Sequence, residues 1–229
     1  MHFTDRPSDL TVGVIGGMGP LATADFFHLL VRMTPADKDW NHLHIIIDDN
    51  PRIPSRTRAF LYDEASPVPY LVAGAQRLVT AGAQLLVVPC NSASHYLAPV
   101  REAVKVPILD PVMATAHYAK GVTSPLVLGG MVTHRAKLYA QALGVDTVRP
   151  TDIEQDEVAA LIEALKQNDT SDRIVERTQR VIAAGIARGA DSVILGCTEF
   201  GLIASRLTGA RIFSSNELLA KRTLELARQ

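Results

Sequence analysis

Two cysteines, Cys90 and Cys197, are the residues of this chain whose type and surroundings best suit chemistry. Each closes a short apolar run and is followed by small hydrogen-bonding residues, in PCNS at 89–92 and GCTE at 196–199. Such residues are typical of helix N-caps, where a side chain faces unpaired N–H groups and the positive end of the helix dipole. We therefore expect both positions to favour the thiolate form of cysteine, which is the nucleophilic and basic form.

A pair of thiols can act on both faces of one carbon atom. Inverting a stereocentre requires a base on one face and an acid on the other, so one thiolate and one thiol meet the requirement together. Such a pair titrates as a coupled unit, and the two cysteines exchange roles for the two enantiomers. The sequence therefore predicts cofactor-free inversion of a carbon centre next to a carboxylate.

A weak internal repeat supports the pairing of the two cysteines. VIGGM at 14–18 recurs as VLGGM at 127–131, and a Gly-Ala pair precedes each cysteine at the same distance, at 82–83 and 189–190. Two copies of one βαβ layout explain both matches, each copy placing a cysteine at the carboxyl end of an equivalent strand. Coincidence remains the alternative, because Gly-Gly and Gly-Ala are common in α/β turns.

The elements that position these residues follow from alternating patterns. Short apolar runs of the kind buried in parallel sheets alternate with helical periodicities, which predicts βαβ units and a doubly wound α/β fold. The predicted strands are Thr11–Ile15, Leu43–Ile47, Gln84–Val88, Val106–Leu109, Leu126–Leu128, Val145–Val148, Ser192–Leu195 and Arg211–Phe213. The clearest helical faces are 71–79, 158–165 and 175–186.

Three further patterns bear on ligands. The loop NPRIPSRT at 50–57 follows the second strand, and its Arg56 suits either a carboxylate ligand or a solvated surface. The glycine turn at 16–19 opens a GxGxxA pattern, which is typical of dinucleotide sites. The acidic residues that end the next strand lie farther along the chain than the ribose-binding acid of such a site, so we favour a backbone nest that binds a small anion. His42 and His44 lack a third ligand, which argues against a metal.

Composition limits the class of protein. The chain has 229 residues, 47% hydrophobic and 21% charged, with a formal net charge of -1, which is typical of a globular protein and predicts neither nucleic acid nor a membrane as partner. The first ten residues are polar and unlike a signal peptide. Two cysteines without CxxC predict free thiols, no disulfide framework and a cytoplasmic location.

The motifs resemble the cofactor-independent aspartate/glutamate racemase family, and specifically its aspartate racemase branch. The matching stretches are GVIGGMGPLATADFF at 13–27, NPRIPSRT at 50–57, VVPCNSA at 87–93 and LGCTE at 195–199. The resemblance implies two similar doubly wound lobes related by a pseudo-twofold axis. Each lobe would contain a parallel four-stranded sheet, with the active site in the cleft between them. We place the N-terminal lobe at 1–105 plus 213–229 and the C-terminal lobe at 106–212.

The resemblance also implies residue roles and partners. Cys90 and Cys197 would be the two catalytic bases, and no cofactor would be needed. Asn91, Ser92 and Thr198 would hold the α-carboxylate of a small acidic amino acid, and Arg56 its side-chain carboxylate. Lys166 is nearest to a lysine of the family pattern, and a homodimer is expected. The predicted substrate-binding set is completed by Met18, Asn50, Thr133 and Glu199.

Departures from the family pattern leave the substrate open. They lie at Asp49, Ser55, Ser94, Val132 and Ala136. An additional carboxylate at Asp49 either repels a dicarboxylic substrate or pairs with Arg56. Three functions therefore remain at this point: an aspartate or glutamate racemase, a related cysteine-dependent decarboxylase or isomerase of a small diacid, and a non-catalytic amino-acid-binding protein.

Overall fold

The computed structural model of the protein describes residues 9–228, which form two parallel β-sheets surrounded by helices. The first sheet has the order β2-β1-β3-β4, with β1 at Val12–Gly16, β2 at Ile45–Asp49, β3 at Leu85–Val87 and β4 at Ile108–Leu109. The second has the order β5-β6-β7, with β5 at Pro125–Gly129, β6 at Ser192–Gly196 and β7 at Ile212–Ser214. The predicted α/β class with parallel sheets is confirmed.

Ten α-helices and three 3-10 helices connect and cover the strands within the described residues. The α-helices are α1 Pro20–Met33, α2 Arg56–Tyr62, α3 Val68–Thr80, α4 Leu97–Ala103, α5 Pro111–Tyr118, α6 Met131–Arg135, α7 Leu138–Leu143, α8 Asp152–Lys166, α9 Asp172–Ala187 and α10 Ser215–Ala227. The 3-10 helices are Asp39–Asn41, Asn91–Tyr96 and Thr198–Arg206. No helix in this part of the chain is long and apolar enough to cross a membrane.

The second sheet has three strands, so the prediction of two four-stranded sheets is wrong for this half. The predicted strand Val145–Val148 forms only an isolated parallel bridge between Val148 and Leu126. Pro150 follows closely and lacks the N–H needed to extend a ladder, and Asp146 disfavours extended pairing. Both residues limit this segment to one bridge at the edge of β5.

The strand pairings also bear on the predicted lobe boundaries. β4 pairs with β3 through Leu86 and Ile108, so it belongs to the first sheet although the boundary after residue 105 assigned it to the second lobe. β7 lies wholly in the second sheet, whereas the boundary after residue 212 divides it. The last helix, α10, packs against both α1 and α5, so its contacts do not assign it to one lobe. We retain the two lobes as a proposal, with the crossings placed after β4 and after β7.

The internal repeat has a matching backbone geometry in the two halves. Gly82 and Gly189 have φ angles of 100° and 98°, a left-handed conformation that glycine adopts without steric cost. The following N–H groups of Ala83 and Ala190 bond back to Leu78 and Gly185, which ends α3 and α9 with the same Schellman motif. Each motif turns the chain into the strand that carries a cysteine at its end.

The core lies between the sheets and their covering helices. In α8 the predicted apolar face is buried, since Val158, Leu161 and Leu165 have no exposed surface and Ile162 is 6% exposed. This face packs against β5 and β6, and Thr151 and Glu154 form a capping box at the start of the helix. The second sheet therefore offers a fixed frame for the residues at its carboxyl edge.

Candidate active site

The two cysteines occupy equivalent backbone positions at the carboxyl ends of central strands. Cys90 immediately precedes the 3-10 helix Asn91–Tyr96, and Cys197 precedes the 3-10 helix Thr198–Arg206. Both are extended, with φ of -153° and -133°. The carbonyl of each cysteine accepts a hydrogen bond of 3.2 Å from the N–H three residues later. The sequence repeat therefore extends to the positions of the thiols.

A cleft of about 240 Å³ contains both cysteines and receives residues from both halves of the chain. All of the predicted site residues except Asn50 line it: Met18, Arg56, Cys90, Asn91, Ser92, Thr133, Lys166, Cys197, Thr198 and Glu199. Sequence reasoning missed Thr57, Met131, Gln155 and Glu163, which also line the cleft. Met131 is the counterpart of Met18 in the repeat, so that pattern contained a signal for it.

Asn50 does not line the cleft. Its Oδ1 accepts a hydrogen bond from the N–H of Arg52 at 3.0 Å, which stabilises the loop after β2. Its backbone lies so close to Gly17 that a Cβ there would come within 2.3 Å of the Asn50 carbonyl carbon. Asn50 therefore shapes the glycine turn beside the site, and the prediction of direct substrate contact has no support from its position.

The thiol of Cys197 is held in its protonated form. Burial raises its pKa well above the ordinary value, and the neighbouring Glu199 carboxylate adds to this effect. Sγ donates a hydrogen bond to Glu199 Oε2 at 2.9 Å, and Glu199 is itself only 2% exposed. The expectation that the helix terminus favours thiolate is therefore wrong for Cys197, because burial and a carboxylate outweigh the helix dipole.

Cys90 has different neighbours. Its side chain is buried, and Sγ lies 3.4 Å from the hydroxyl of Ser92. Ser92 occupies the position that corresponds to Glu199 in the second half, so a neutral hydroxyl replaces a carboxylate. The two thiols therefore share a backbone geometry and differ in electrostatic surroundings.

The side chain of Asn91 is engaged in a buried network. Tyr139 donates from its hydroxyl to Asn91 Oδ1 at 2.5 Å, and Asn91 Nδ2 donates to the Ser215 hydroxyl at 3.0 Å. Ser215 in turn donates to the carbonyl of Leu195 in β6 at 2.7 Å. This network ties the segment after Cys90 to the second sheet and uses one of the two Nδ2 hydrogens of Asn91, so the role of Asn91 in holding a carboxylate stays a prediction.

Arg56 lines the cleft and is not a surface charge. Its Nη1 donates to the carbonyls of Ile53 and Pro54, and its Nη2 donates to the carbonyl of Met18 at 3.3 Å. Its Nε is buried without a hydrogen-bond partner. Within residues 9–228 no ion pair joins Arg56 to a carboxylate, and Asp49 is exposed at the end of β2. The alternative in which Asp49 neutralises Arg56 is therefore wrong.

Lys166 brings a second cation to the cleft from the end of α8. Its Nζ donates to Glu163 Oε1 at 2.7 Å. Burial opposes the charged ammonium, but the hydrogen bond and negative charge of Glu163, together with the carboxylate of Glu199, outweigh it and raise the pKa of Lys166. The cleft thus has one cation on each side, Arg56 from the first half and Lys166 from the second.

Histidines and metal ligands do not contribute to this cleft. His95 is exposed and contacts the ring of Phe60 edge-on, with the ring centroids 4.9 Å apart. In the part of the chain that the structure describes, no group of three or more histidine, cysteine, aspartate or glutamate side chains is arranged to hold a metal ion. The arrangement places two thiols and two cations at one cleft.

These features define a class of protein: an α/β protein built from two related halves, with a thiol from each half lining one small cleft. A family model described as Asp/Glu/Hydantoin racemase matches residues 15–223, and the chain belongs to that family. The structure resembles an aspartate racemase of Picrophilus torridus, with a TM-score of 0.83, 30% identity, and coverage of 95% of this chain and 94% of that one.

Two other relatives indicate the range of the family. The broad specificity amino-acid racemase RacX of Bacillus subtilis is 27% identical over 228 residues, covering 93% of this chain and 96% of RacX. A glutamate racemase of Francisella tularensis, solved with D-glutamate, shares the fold with a TM-score of 0.65 at 17% identity, covering 95% of this chain and 81% of that one.

Proposed function

We propose that the protein is a cofactor-independent amino-acid racemase that uses Cys90 and Cys197 as a two-base pair. The observation that carries this proposal is the equivalent placement of two thiols, one from each half, at a single cleft. Family membership supports the reaction type. Pairs of this kind need no metal or pyridoxal group, because proton removal and proton delivery are both performed by side chains.

The different surroundings of the thiols support an assignment of roles in the resting enzyme. Cys197 donates to Glu199 and is the acid, which leaves Cys90 as the thiolate base. Cys90 removes the α-proton from one face of the substrate, and Cys197 delivers its own proton to the opposite face. The products are the other enantiomer, a Cys90 thiol and a Cys197 thiolate. The reverse reaction begins from that second form, so both enantiomers are substrates.

The cations of the cleft support an acidic amino acid as substrate, with aspartate preferred. Arg56 lines the cleft and has no carboxylate partner within residues 9–228, and a guanidinium can hold a carboxylate through parallel hydrogen bonds. Lys166 lies across the cleft as a second cation, suited to the other carboxylate. The similarity to an aspartate racemase supports this choice, and the similarity to a broad-specificity racemase supports turnover of other amino acids at lower rates.

Cellular setting and assembly form a further part of the proposal. Both cysteines are free thiols, which supports a reducing cytoplasm. The family resemblance supports a homodimer, and a net charge of -1 supports a small molecule as ligand in preference to nucleic acid. Measuring the mass of the purified protein by light scattering tests the dimer directly, and a monomer at enzyme-assay concentrations contradicts it.

The test of the mechanism is α-proton exchange in D2O with each enantiomer of aspartate, glutamate and alanine. Wild type should interconvert enantiomers and incorporate deuterium at Cα without releasing carbon dioxide. Cys90→Ala and Cys197→Ala should each lose racemisation, because one face of the substrate loses its only proton carrier. Either variant can still exchange the α-proton of a single enantiomer with the remaining thiol.

The matched control is Ser205→Ala, which removes an exposed hydroxyl outside the cleft, and it should retain racemisation. Circular dichroism verifies that each variant is folded. Full racemisation by either cysteine variant contradicts the two-thiol mechanism, and release of carbon dioxide by wild type identifies a decarboxylase instead.

A further inference from the structure

A second cavity lies in the C-terminal half, outside the catalytic cleft. Its volume is about 200 Å³, against about 240 Å³ for the cleft, so it has room for a ligand of similar size. Its walls come from α6, from α7 and from the irregular segment that follows α7. We call it the His134 pocket, and its polar lining residues are Thr133, His134, Lys137, Asp146, Thr147 and Arg149.

The His134 pocket contains both signs of charge. Lys137 and Arg149 are cations, and Asp146 is an anion. Within residues 9–228, none of the three forms an ion pair with another side chain. All three residues are exposed, so water solvates their charges, and it is their grouping with both signs around one cavity that suits a ligand with complementary charges.

His134 is a buried side chain in the wall of this cavity. The side chain is 8% exposed, and Nε2 has no hydrogen-bond partner in the structure. Burial lowers the pKa of His134 to about 4, and the nearby Arg149 adds to this effect, so the imidazole is neutral near pH 7. Because Nε2 has almost no accessible surface, His134 gives the cavity a neutral wall, and the charged side chains around it are the groups that a ligand can meet.

We propose that the His134 pocket binds a second, free amino acid as a zwitterion. The carboxylate of the ligand pairs with Arg149 and Lys137, and its ammonium faces Asp146. A simple anion such as phosphate satisfies the two cations but meets repulsion from Asp146, so the mixed charges favour a ligand with both signs.

Two contacts connect the His134 pocket to the catalytic cleft. Thr133 lines both cavities, so one side chain forms part of each wall. Tyr139 lines the pocket and donates its hydroxyl to Asn91, the residue after Cys90. A ligand that shifts α6 or α7 therefore changes the support of the Cys90 segment, and we expect occupancy of the pocket to alter the rate of turnover.

Equilibrium dialysis with radiolabelled L-aspartate and L-alanine tests the site. Wild type should bind two amino acids per chain, and protein alkylated with iodoacetamide at both cysteines should bind one. Arg149→Gln should weaken that remaining site by roughly ten- to a hundredfold, the equivalent of one charge-assisted pair. Arg149 lies outside the catalytic cleft, so turnover at low substrate concentration should be unchanged in this variant.

The matched control is Arg135→Gln, which removes an exposed cation of α6 that borders a neighbouring depression and does not line the His134 pocket. It should bind as wild type does. Binding of only one amino acid by wild type, no binding by the alkylated protein, or equal binding by both variants overturns the proposal. The alkylated protein reports on this pocket whether or not the catalytic proposal is correct, because the catalytic thiols are blocked in it.

Discussion

Replacing Glu199 with glutamine should make the Cys197 thiol easier to ionise. The Glu199 carboxylate accepts a hydrogen bond of 2.9 Å from the Cys197 thiol, and it repels the thiolate that deprotonation would produce. Both effects favour the thiol and therefore raise the pKa of Cys197, in addition to the larger effect of burial. Glutamine keeps the shape of the side chain and removes the charge, so the pKa of Cys197 should fall.

The size of this fall follows from the strength of the interaction. A hydrogen bond to a charged group contributes about 1.5–3 kcal/mol, and about 1.4 kcal/mol corresponds to one pH unit. Because Glu199 is only 2% exposed, solvent screening reduces this contribution little. We therefore expect the pKa of Cys197 to fall by roughly one to two pH units in Glu199→Gln.

The measurement is best made where Cys197 is the only thiol. In a Cys90→Ala background, thiolate absorbance in the ultraviolet and the rate of alkylation by iodoacetamide both report the ionisation of Cys197 across the pH range. With both cysteines present, the alkaline decline of kcat/KM should begin at a lower pH in Glu199→Gln than in wild type. The reason is that the active pair contains one thiol and one thiolate, and activity is lost when the second thiol ionises.

Glu163→Gln is the matched control for this experiment. Glu163 also lines the cleft, but its hydrogen bond goes to Lys166 and not to a cysteine. The same loss of charge there should leave the Cys197 titration nearly unchanged. An unchanged titration in Glu199→Gln, or an equal change in both variants, refutes the assignment of Glu199 as the group that keeps Cys197 protonated.

Three further predictions follow from other parts of the molecule. Arg56→Lys should reduce affinity for aspartate by roughly one to two orders of magnitude while alanine kinetics stay unchanged, because lysine lacks the planar, two-bond guanidinium. Unchanged aspartate kinetics would show that Arg56 does not bind the substrate. Purified enzyme should show no pyridoxal or flavin absorbance and retain activity in EDTA, and restoration by zinc after loss in EDTA would indicate a metal. Burial alone raises the pKa of Asp191, but donors from Thr123, Ser124 and Ser192 lower it to about 2. The ionised Asp191 therefore stabilises the fold above the ordinary pKa of an aspartate, and this stabilisation is lost as the pH falls towards 2. Asp191→Ala should lower the free energy of unfolding, measured in urea, by about 1–2 kcal/mol at pH 7 and by much less below pH 2.

The sequence was sufficient to predict features that are local or periodic. Both cysteines end apolar runs, and the parallel strands follow from alternation with helical faces. The predicted strand at 145–148 failed because its residues form a single bridge, which depends on Pro150 and on the absence of a further partner strand at that edge within the described residues. Hydrophobic runs indicate which residues are buried, but they do not indicate how many of them pair.

The support around Cys90 could not be predicted, because it depends on tertiary contacts between distant residues. Tyr139 and Ser215 meet Asn91 from 48 and 124 positions away along the chain, and neither belongs to a motif. The protonation of Cys197 depends in the same way on burial and on the side-chain direction of Glu199. A helix N-terminus visible in sequence was therefore a poor guide to which thiol ionises.

The matched backbone and the unmatched neighbours of the two thiols have a mechanistic consequence. A repeated strand and turn place a sulfur atom from each half at one cleft, as opposite-face proton transfer requires. Ser92 beside Cys90 and Glu199 beside Cys197 then make the two protonation forms of the pair unequal in energy. In the mechanism that we propose, each turnover converts one form into the other, so the enzyme must return a proton from Cys90 to Cys197 before it accepts the same enantiomer again. Glu199 favours this return, since its carboxylate stabilises the form in which Cys197 holds the proton.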